Sequence, residues 1–250
     1  IRDRMGVKPL YWYFKDGLFL FASELKAFHQ HPLFDKTINK DALSLYLQQG
    51  YIQQPHCIFK YAHKLQAGAY LSLDEDAQIS IKSYWSVDNL YQQSPISQAS
   101  EADLTEELEA VLSESFELRM VADVPVGTFL SGGIDSSLVT ALLQKKQGRQ
   151  LKTFTIGFEQ EAYNEAHHAR EVARHLKTDH TEFICTQQDF ERVIPLLADM
   201  YDEPFGDSSA VPTWYLSELT RREVTVALSG DGGDELFAGY ERYRALWLSQ

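Results

Sequence analysis

A chain of 250 residues that is 44% hydrophobic, with 14 Phe, 13 Tyr and 4 Trp, can bury one large core or two modest ones, which excludes a disordered or fibrous protein. Its formal net charge of −13 argues against nucleic acid as a partner, because neutralising phosphates takes clusters of Lys and Arg that are absent here. Two cysteines are too few for a disulfide framework and no apolar run approaches the length of a membrane span, so a cytoplasmic protein with no membrane partner is expected.

In chain order, the start at Ile1-Arg-Asp-Arg-Met5 is turn-like and carries no initiator Met, and the chain stops at Gln250 within a helical pattern over 241–248. An internal fragment is expected. Short, aromatic-rich alternating runs at 10–14, 18–22 and 69–73, with the turn signal Lys15-Asp16-Gly17, predict a mostly β region up to about residue 85. Within it, Leu43, Tyr46 and Leu47 have the spacing of a short helix over 40–48. Residues 86–102 are polar and read as a linker. Leu104, Leu108, Val111, Leu112 and Phe116 then recur at helical spacing behind Asp103 as a cap, opening a second domain over 103–250.

In that second domain, candidate strands at 126–130, 153–158, 180–184 and 224–228 alternate with candidate helices at 136–147, 164–176, 188–200 and 209–221. Strand–helix alternation predicts an α/β fold with a parallel sheet and helices on both faces. Ligands of such sheets sit beyond the carboxyl ends of the strands, which singles out the loops after Leu130 and after Leu228.

The first loop, Ser131-Gly-Gly-Ile-Asp-Ser-Ser137, offers close backbone approach at its glycines, hydroxyl donors and a helix amino terminus. Phosphate suits it, and the bland alternative is a tight turn capped by Ser or Asp. It lacks the glycine spacing and Lys of a Walker-type P-loop. The second loop, Ser229-Gly-Asp-Gly-Gly-Asp-Glu235, packs three carboxylates among three glycines, a composition suited to Mg2+. Its bland alternative is a solvated turn whose acids favour a helix amino terminus. Cys57 and Cys185 read as small buried hydrophobes, and His167, His168, His175 and His180 form no convincing ligand set.

Together the loops resemble the Ser-Gly-Gly-x-Asp-Ser signature of PP-loop ATP pyrophosphatases followed by the Ser-Gly-x-Gly-x-Asp-Glu loop of asparagine synthetases. The resemblance extends through Val124-Pro-Val-Gly-Thr-Phe-Leu130, Thr153-Phe-Thr-Ile-Gly-Phe158 and Asp202-Glu-Pro-Phe-Gly-Asp-Ser-Ser209. Arg2-Asp-Arg-Met-Gly-Val-Lys-Pro-Leu-Tyr11 and Phe21-Ala-Ser-Glu-Leu-Lys-Ala27 are similar to the late part of the same family's glutaminase domain, an N-terminal-nucleophile fold whose amino-terminal Cys lies outside this sequence.

The resemblance implies a glutamine-dependent asparagine synthetase that uses ATP and Mg2+, with residues 1–85 from its glutaminase domain. It places Leu130 and Ile156 at the adenine through their backbones, and Ser131, Gly132, Gly133, Asp135, Ser136 and Ser137 at the pyrophosphate. Ser229 and Gly230 fall near the nucleotide, and Asp135 and Asp234 become the magnesium ligands. Asp3 matches a residue that holds the α-amino group of glutamine, for which an Asp that pairs with Arg2 or Arg4 or caps a turn is the plain alternative. Asp231 takes the catalytic position linked to forming the acyl adenylate. That position often carries Glu, which keeps open an acceptor other than aspartate: a cell-wall or polysaccharide precursor, or a carboxylate closing a lactam. A nucleotide-binding module without catalysis is the non-enzyme alternative.

Overall fold

The computed structural model describes residues 1–94, 97–161 and 164–249. Contacts divide the chain into one unit of Ile1–Ser97 with Pro195–Ser208 and another of Gln98–Ile194 with Ser209–Gln250.

In the first unit, β1 (Tyr11–Lys15) and β2 (Leu18–Ala22) pair antiparallel, and β3 (Ala62–Lys64) pairs with the other side of β1. The connecting Asp16-Gly17 has positive φ at both residues, 49° and 77°, the geometry that lets a two-residue turn follow the strand twist. Alternation along β1 sends Tyr11 and Tyr13 into a core with Leu25, Phe28, Phe34, Ile52 and Phe59. The helix α1 (Lys40–Gln49) starts at Asn39, whose side chain accepts from Asp41 and Ala42 N–H, and ends at Gly50 with φ 80°. A second hairpin, β4 (Ala69–Leu73) with β5 (Ile79–Ser83), completes this mostly β unit. The polar stretch expected as a linker contains a helix, α2 (Val87–Gln93), whose start Ser86 caps at Asp88 N–H.

The second unit opens with α3 (Glu101–Arg119). Its cap is Ser100 rather than Asp103, because the Ser100 hydroxyl accepts from Asp103 N–H while the Asp103 carboxylate accepts from Ser100 N–H, a reciprocal capping box. Replacing Ser100 by Ala is expected to destabilise this unit by about 1 kcal/mol, read as a shifted urea midpoint at unchanged slope.

There follow β6 (Val126–Phe129), α4 (Ile134–Lys146), β7 (Lys152–Phe158), α5 (Ala166–Leu176), β8 (Asp179–Cys185), α6 (Gln187–Val193), α7 (Leu197–Met200), α8 (Ala210–Thr220), β9 (Val226–Leu228), α9 (Gly233–Phe237) and α10 (Glu241–Leu248). The single helix expected over 188–200 is broken into α6, a 3-10 turn at Ile194–Leu196 and α7. Pro195 is the cause, since it has no N–H for the helical ladder and its ring crowds the preceding turn. The fold is otherwise the expected α/β arrangement. All pairs in the sheet are parallel, in the order β8-β7-β6-β9.

Side chains alternate across that sheet. Phe129, Phe154 and Ile156 pack with Leu216 of α8, while Leu130 packs with Ala169 and Ala173 of α5, and Thr128 meets Thr140 of α4 hydroxyl to hydroxyl at 3.2 Å. Helices therefore cover both faces. No helix among the described residues is long and apolar enough to cross a membrane.

Candidate active site

The strand order decides where the two loops meet. The chain lays β7 and then β8 to one side of β6, and later returns to place β9 on the other, with Val126 opposite Val226 and Thr128 opposite Leu228. The loops after β6 and β9 therefore leave neighbouring strands at the point where the winding reverses. They open on one cavity of about 870 Å³ within the second unit.

The cavity wall contains Leu130, Ser131, Gly133, Asp135, Ser136 and Ile156 from the β6–β7 side and Ser229, Gly230, Asp231 and Asp234 from the β9 side. Gly132 and Ser137, singled out by motif, are not among the lining residues. Gly132 has a different constraint: its φ is +84°, and a Cβ there would lie 2.6 Å from the backbone N of Ala169 in α5. The Ser137 hydroxyl is buried without a hydrogen-bond partner.

Within the first loop, Ser136 works as a staple. Its Oγ accepts from Ser131 N–H at 3.2 Å, lies 2.9 Å from Ser131 Oγ and donates to Gly133 O at 3.3 Å. The turn is thus closed by its own hydroxyls while α4 presents its amino terminus beneath it. Within the second loop, the Ser229 hydroxyl donates to Asp231 Oδ2 at 2.8 Å, and Gly233 N–H donates to Gly230 O at 3.2 Å. The loops touch: a Cβ at Gly233 would fall 2.4 Å from Cγ of Asp135. Beyond them, Tyr240 donates to Glu235 Oε1 at 2.6 Å, which holds the Glu235 carboxyl below its ordinary range.

Several lining residues carry no motif signal. Glu165 stands at the cap of α5, Pro212, Thr213 and Leu216 come from the start of α8, and Phe237 closes α9, while Ser209, which also lines the cavity, ends the Asp202–Ser209 stretch that carried the resemblance. Only the apolar pattern of α8 was legible in the sequence, and that pattern does not say what the helix faces.

Among the described residues there is no cluster of three or more His, Cys, Asp or Glu side chains arranged to hold a metal. Asp135 and Asp234 line the same cavity as a pair of oxygen donors, which fits a hard cation completed by phosphate oxygens better than an all-protein cage.

In the first unit, both carboxylate oxygens of Asp3 accept backbone N–H groups, from Val7 at 2.9 Å and Lys8 at 3.1 Å. Those bonds, Lys8's foremost, lower its pKa and leave an exposed carboxylate on a closed turn. The Arg2 guanidinium donates instead to the carbonyls of Gly6, Lys8 and Leu65. Burial pushes the Cys57 thiol up to about 12 and that of Cys185 to about 11, so neither is a thiolate at neutral pH.

Two family models match the chain: the glutamine amidotransferase domain over residues 1–85 and asparagine synthase over residues 107–250. A protein of Methanocaldococcus jannaschii named "Putative asparagine synthetase (glutamine-hydrolyzing) 2" is 42% identical over 243 residues, covering 96% of this chain and 46% of its own length. Asparagine synthetase (glutamine-hydrolyzing) 1 of Bacillus subtilis is 34% identical over 243 residues, covering 97% of this chain and 37% of its own. The chain thus spans less than half the length of these relatives. With the asparagine synthase model matching 107–250 and both motif loops converging in one cavity of that region, the chain belongs to the asparagine synthase family.

Proposed function

We propose that the whole protein is a glutamine-dependent asparagine synthetase, and that the cavity between the loops after β6 and β9 activates a carboxylate with ATP. The observation that carries this reading is the convergence of the Ser131–Ser137 and Ser229–Glu235 motifs on neighbouring parallel strands.

The chemistry follows from the difficulty of amidating a carboxylate. A side-chain carboxylate oxygen of aspartate attacks the α-phosphorus of ATP, an O–P bond forms, and the bond to the β-phosphate oxygen breaks with its electron pair leaving on pyrophosphate. Ammonia from glutamine then adds to the acyl carbon, and AMP departs. Mg2+ bound with the nucleotide would neutralise charge on the leaving pyrophosphate. The chain's own part is to hold the phosphates. The amino terminus of α4 would supply donors, and the Ser131 and Ser136 hydroxyls and the Gly133 N–H would join it by exchanging the bonds that close the turn on itself for bonds to phosphate. Gly132 and Ser137 belong to the same turn, the first by giving it its shape. Asp135 and Asp234 would hold the cation, and Leu130 and Ile156 present backbone groups to the adenine. Ser229 and Gly230 border the nucleotide, and Asp231, oriented by the Ser229 hydroxyl, faces the step that forms the adenylate. Asp3, in the first unit, would hold the α-amino group of glutamine.

The test is the product balance of the full-length protein given ATP, Mg2+, aspartate and glutamine. Asparagine, AMP and pyrophosphate in equal amounts are expected, with ammonium salts able to replace glutamine. Release of ADP and phosphate would defeat the adenylation reading. AMP and pyrophosphate formed only with a different carboxylate would transfer the function to another acceptor, the reading that Asp231 keeps open.

A further inference from the structure

Arg2 and Asp3 are adjacent in sequence and opposite in charge, yet what the guanidinium holds is the backbone around the carboxylate. Nη2 donates to Gly6 O at 2.8 Å, Nε to Lys8 O at 3.0 Å and Nη1 to Leu65 O, one residue past β3, at 2.6 Å. The side chain lies close against the turn: a Cβ at Gly6 would stand 3.0 Å from Nη2. Arg2 is itself anchored beside the β4–β5 hairpin, since its N–H donates to Ala69 O at 2.9 Å and its carbonyl accepts from the Tyr84 hydroxyl at 2.8 Å.

One of these bonds bears directly on Asp3. The Gly6 carbonyl and the Val7 N–H belong to a single trans peptide group, which is planar and points the two in opposite directions. Arg2 Nη2 holds its oxygen while its N–H donates to Asp3 Oδ1 at 2.9 Å, so cation and carboxylate clamp one peptide plane from its two sides. The bond to Lys8 O fixes the far flank of the residue whose N–H donates to Asp3 Oδ2 at 3.1 Å. Hydrogen bonds in such a chain also polarise one another. Both carboxylate oxygens are thereby aimed. Each keeps a second lone pair, and Asp3 is exposed, so both can still accept from a ligand. A direct bidentate pair with Arg2 would have consumed those lone pairs.

We infer that Arg2 is a positioning residue for amino-acid binding: by clamping the Gly6–Val7 peptide and Lys8, it aims the Asp3 carboxylate at the α-ammonium group of glutamine without competing for it. The identity of that ligand rests on the role proposed for Asp3 above; the clamp does not.

The experiment uses the full-length protein with Arg2→Met, which keeps most of the aliphatic stem and removes every guanidinium donor. Amide hydrogen exchange over 7–8 is expected to speed up about tenfold. The KM for glutamine in its hydrolysis should rise about tenfold with kcat within about twofold, the pattern of a lost binding geometry rather than lost chemistry. A residue that only stabilised the unit would lower the urea midpoint and leave the KM of the folded enzyme where it was. Arg2→Lys, with one compact ammonium in place of the planar fork, should restore part of the loss, to about threefold in both readouts, and it carries the test if Arg2→Met does not fold. Exchange over 7–8 as slow in both variants as in the unaltered protein would overturn the proposal. So would faster exchange with an unmoved glutamine KM, provided Asp3→Asn raises that KM. If Asp3→Asn leaves it unmoved as well, the glutamine reading of Asp3 fails instead, and exchange alone decides the clamp.

Discussion

Replacing Asp135 by Ala in the full-length protein is expected to lower ATP-dependent amide formation by about 10³-fold, the range seen when one preorganised electrostatic partner of a departing charged group is removed. Asp135 sits in the first turn of α4, lines the cavity and presses its carboxylate against the backbone at Gly233, so it belongs to both loops at once. Were it only an acid at a helix amino terminus, its loss would cost roughly 0.3–1 kcal/mol of stability and leave turnover intact. Steady-state kinetics separates the two. Calorimetry with ATP and Mg2+ should show the same loss for Asp135→Ala, for Asp234→Ala and for the double variant, because two ligands of one ion act as a unit. Additive, small losses would show that the two carboxylates do not share a cation. On the proposed assignment of glutamine to the first unit, its hydrolysis should persist in all three, since Asp135 and Asp234 lie in the second.

Gly132→Ala is the second large effect, and it is one of stability as well as binding. The left-handed backbone at φ +84° costs an L-residue roughly 1–2 kcal/mol, and the new methyl would sit 2.6 Å from the Ala169 backbone N and 2.6 Å from His168 Cβ. Backbone in α5 cannot swing aside as a side-chain tip can, so overpacking adds roughly 1–3 kcal/mol. The expected total, about 2–5 kcal/mol, is read as a urea midpoint shift. Gly148→Ala is the control: nothing lies within 4 Å of its added Cβ, and the change should be near neutral. A Gly132 variant as stable as the Gly148 variant, with ATP affinity kept, would mean that the turn can be built with a different backbone.

The expectation for Gly132 was a backbone left bare so that an anion could approach. The structure supplies another reason, the passage of α5 across the loop, and local sequence has no means of reporting a neighbour more than 30 positions away. The ends of α1 fell within a residue of the expected 40–48, where the structure shows local caps at Asn39 and Gly50. They were misread where two capping residues compete, as at Ser100 and Asp103, because composition does not say whose side chain accepts the helix's free N–H. The break at Pro195 was available in the sequence and was overridden by the apolar period around it.

By itself the sequence determined the kinds of element, their parallel pairing, the two loops that carry oxygen donors and the family to which they point, because each of these is written in contiguous residues. Tertiary structure alone decided that β9 lies beside β6 and not beside β8, since parallel strands joined by helices can be ordered in several ways with the same local pattern. That choice brings Asp135 against Gly233 and makes one cavity from two loops about 100 positions apart. It also decided the third wall, α8, and, within the first unit, the buried Glu203–Lys64 pair, because a charge reads as solvent-exposed in any sequence until a partner from elsewhere in the chain removes the water.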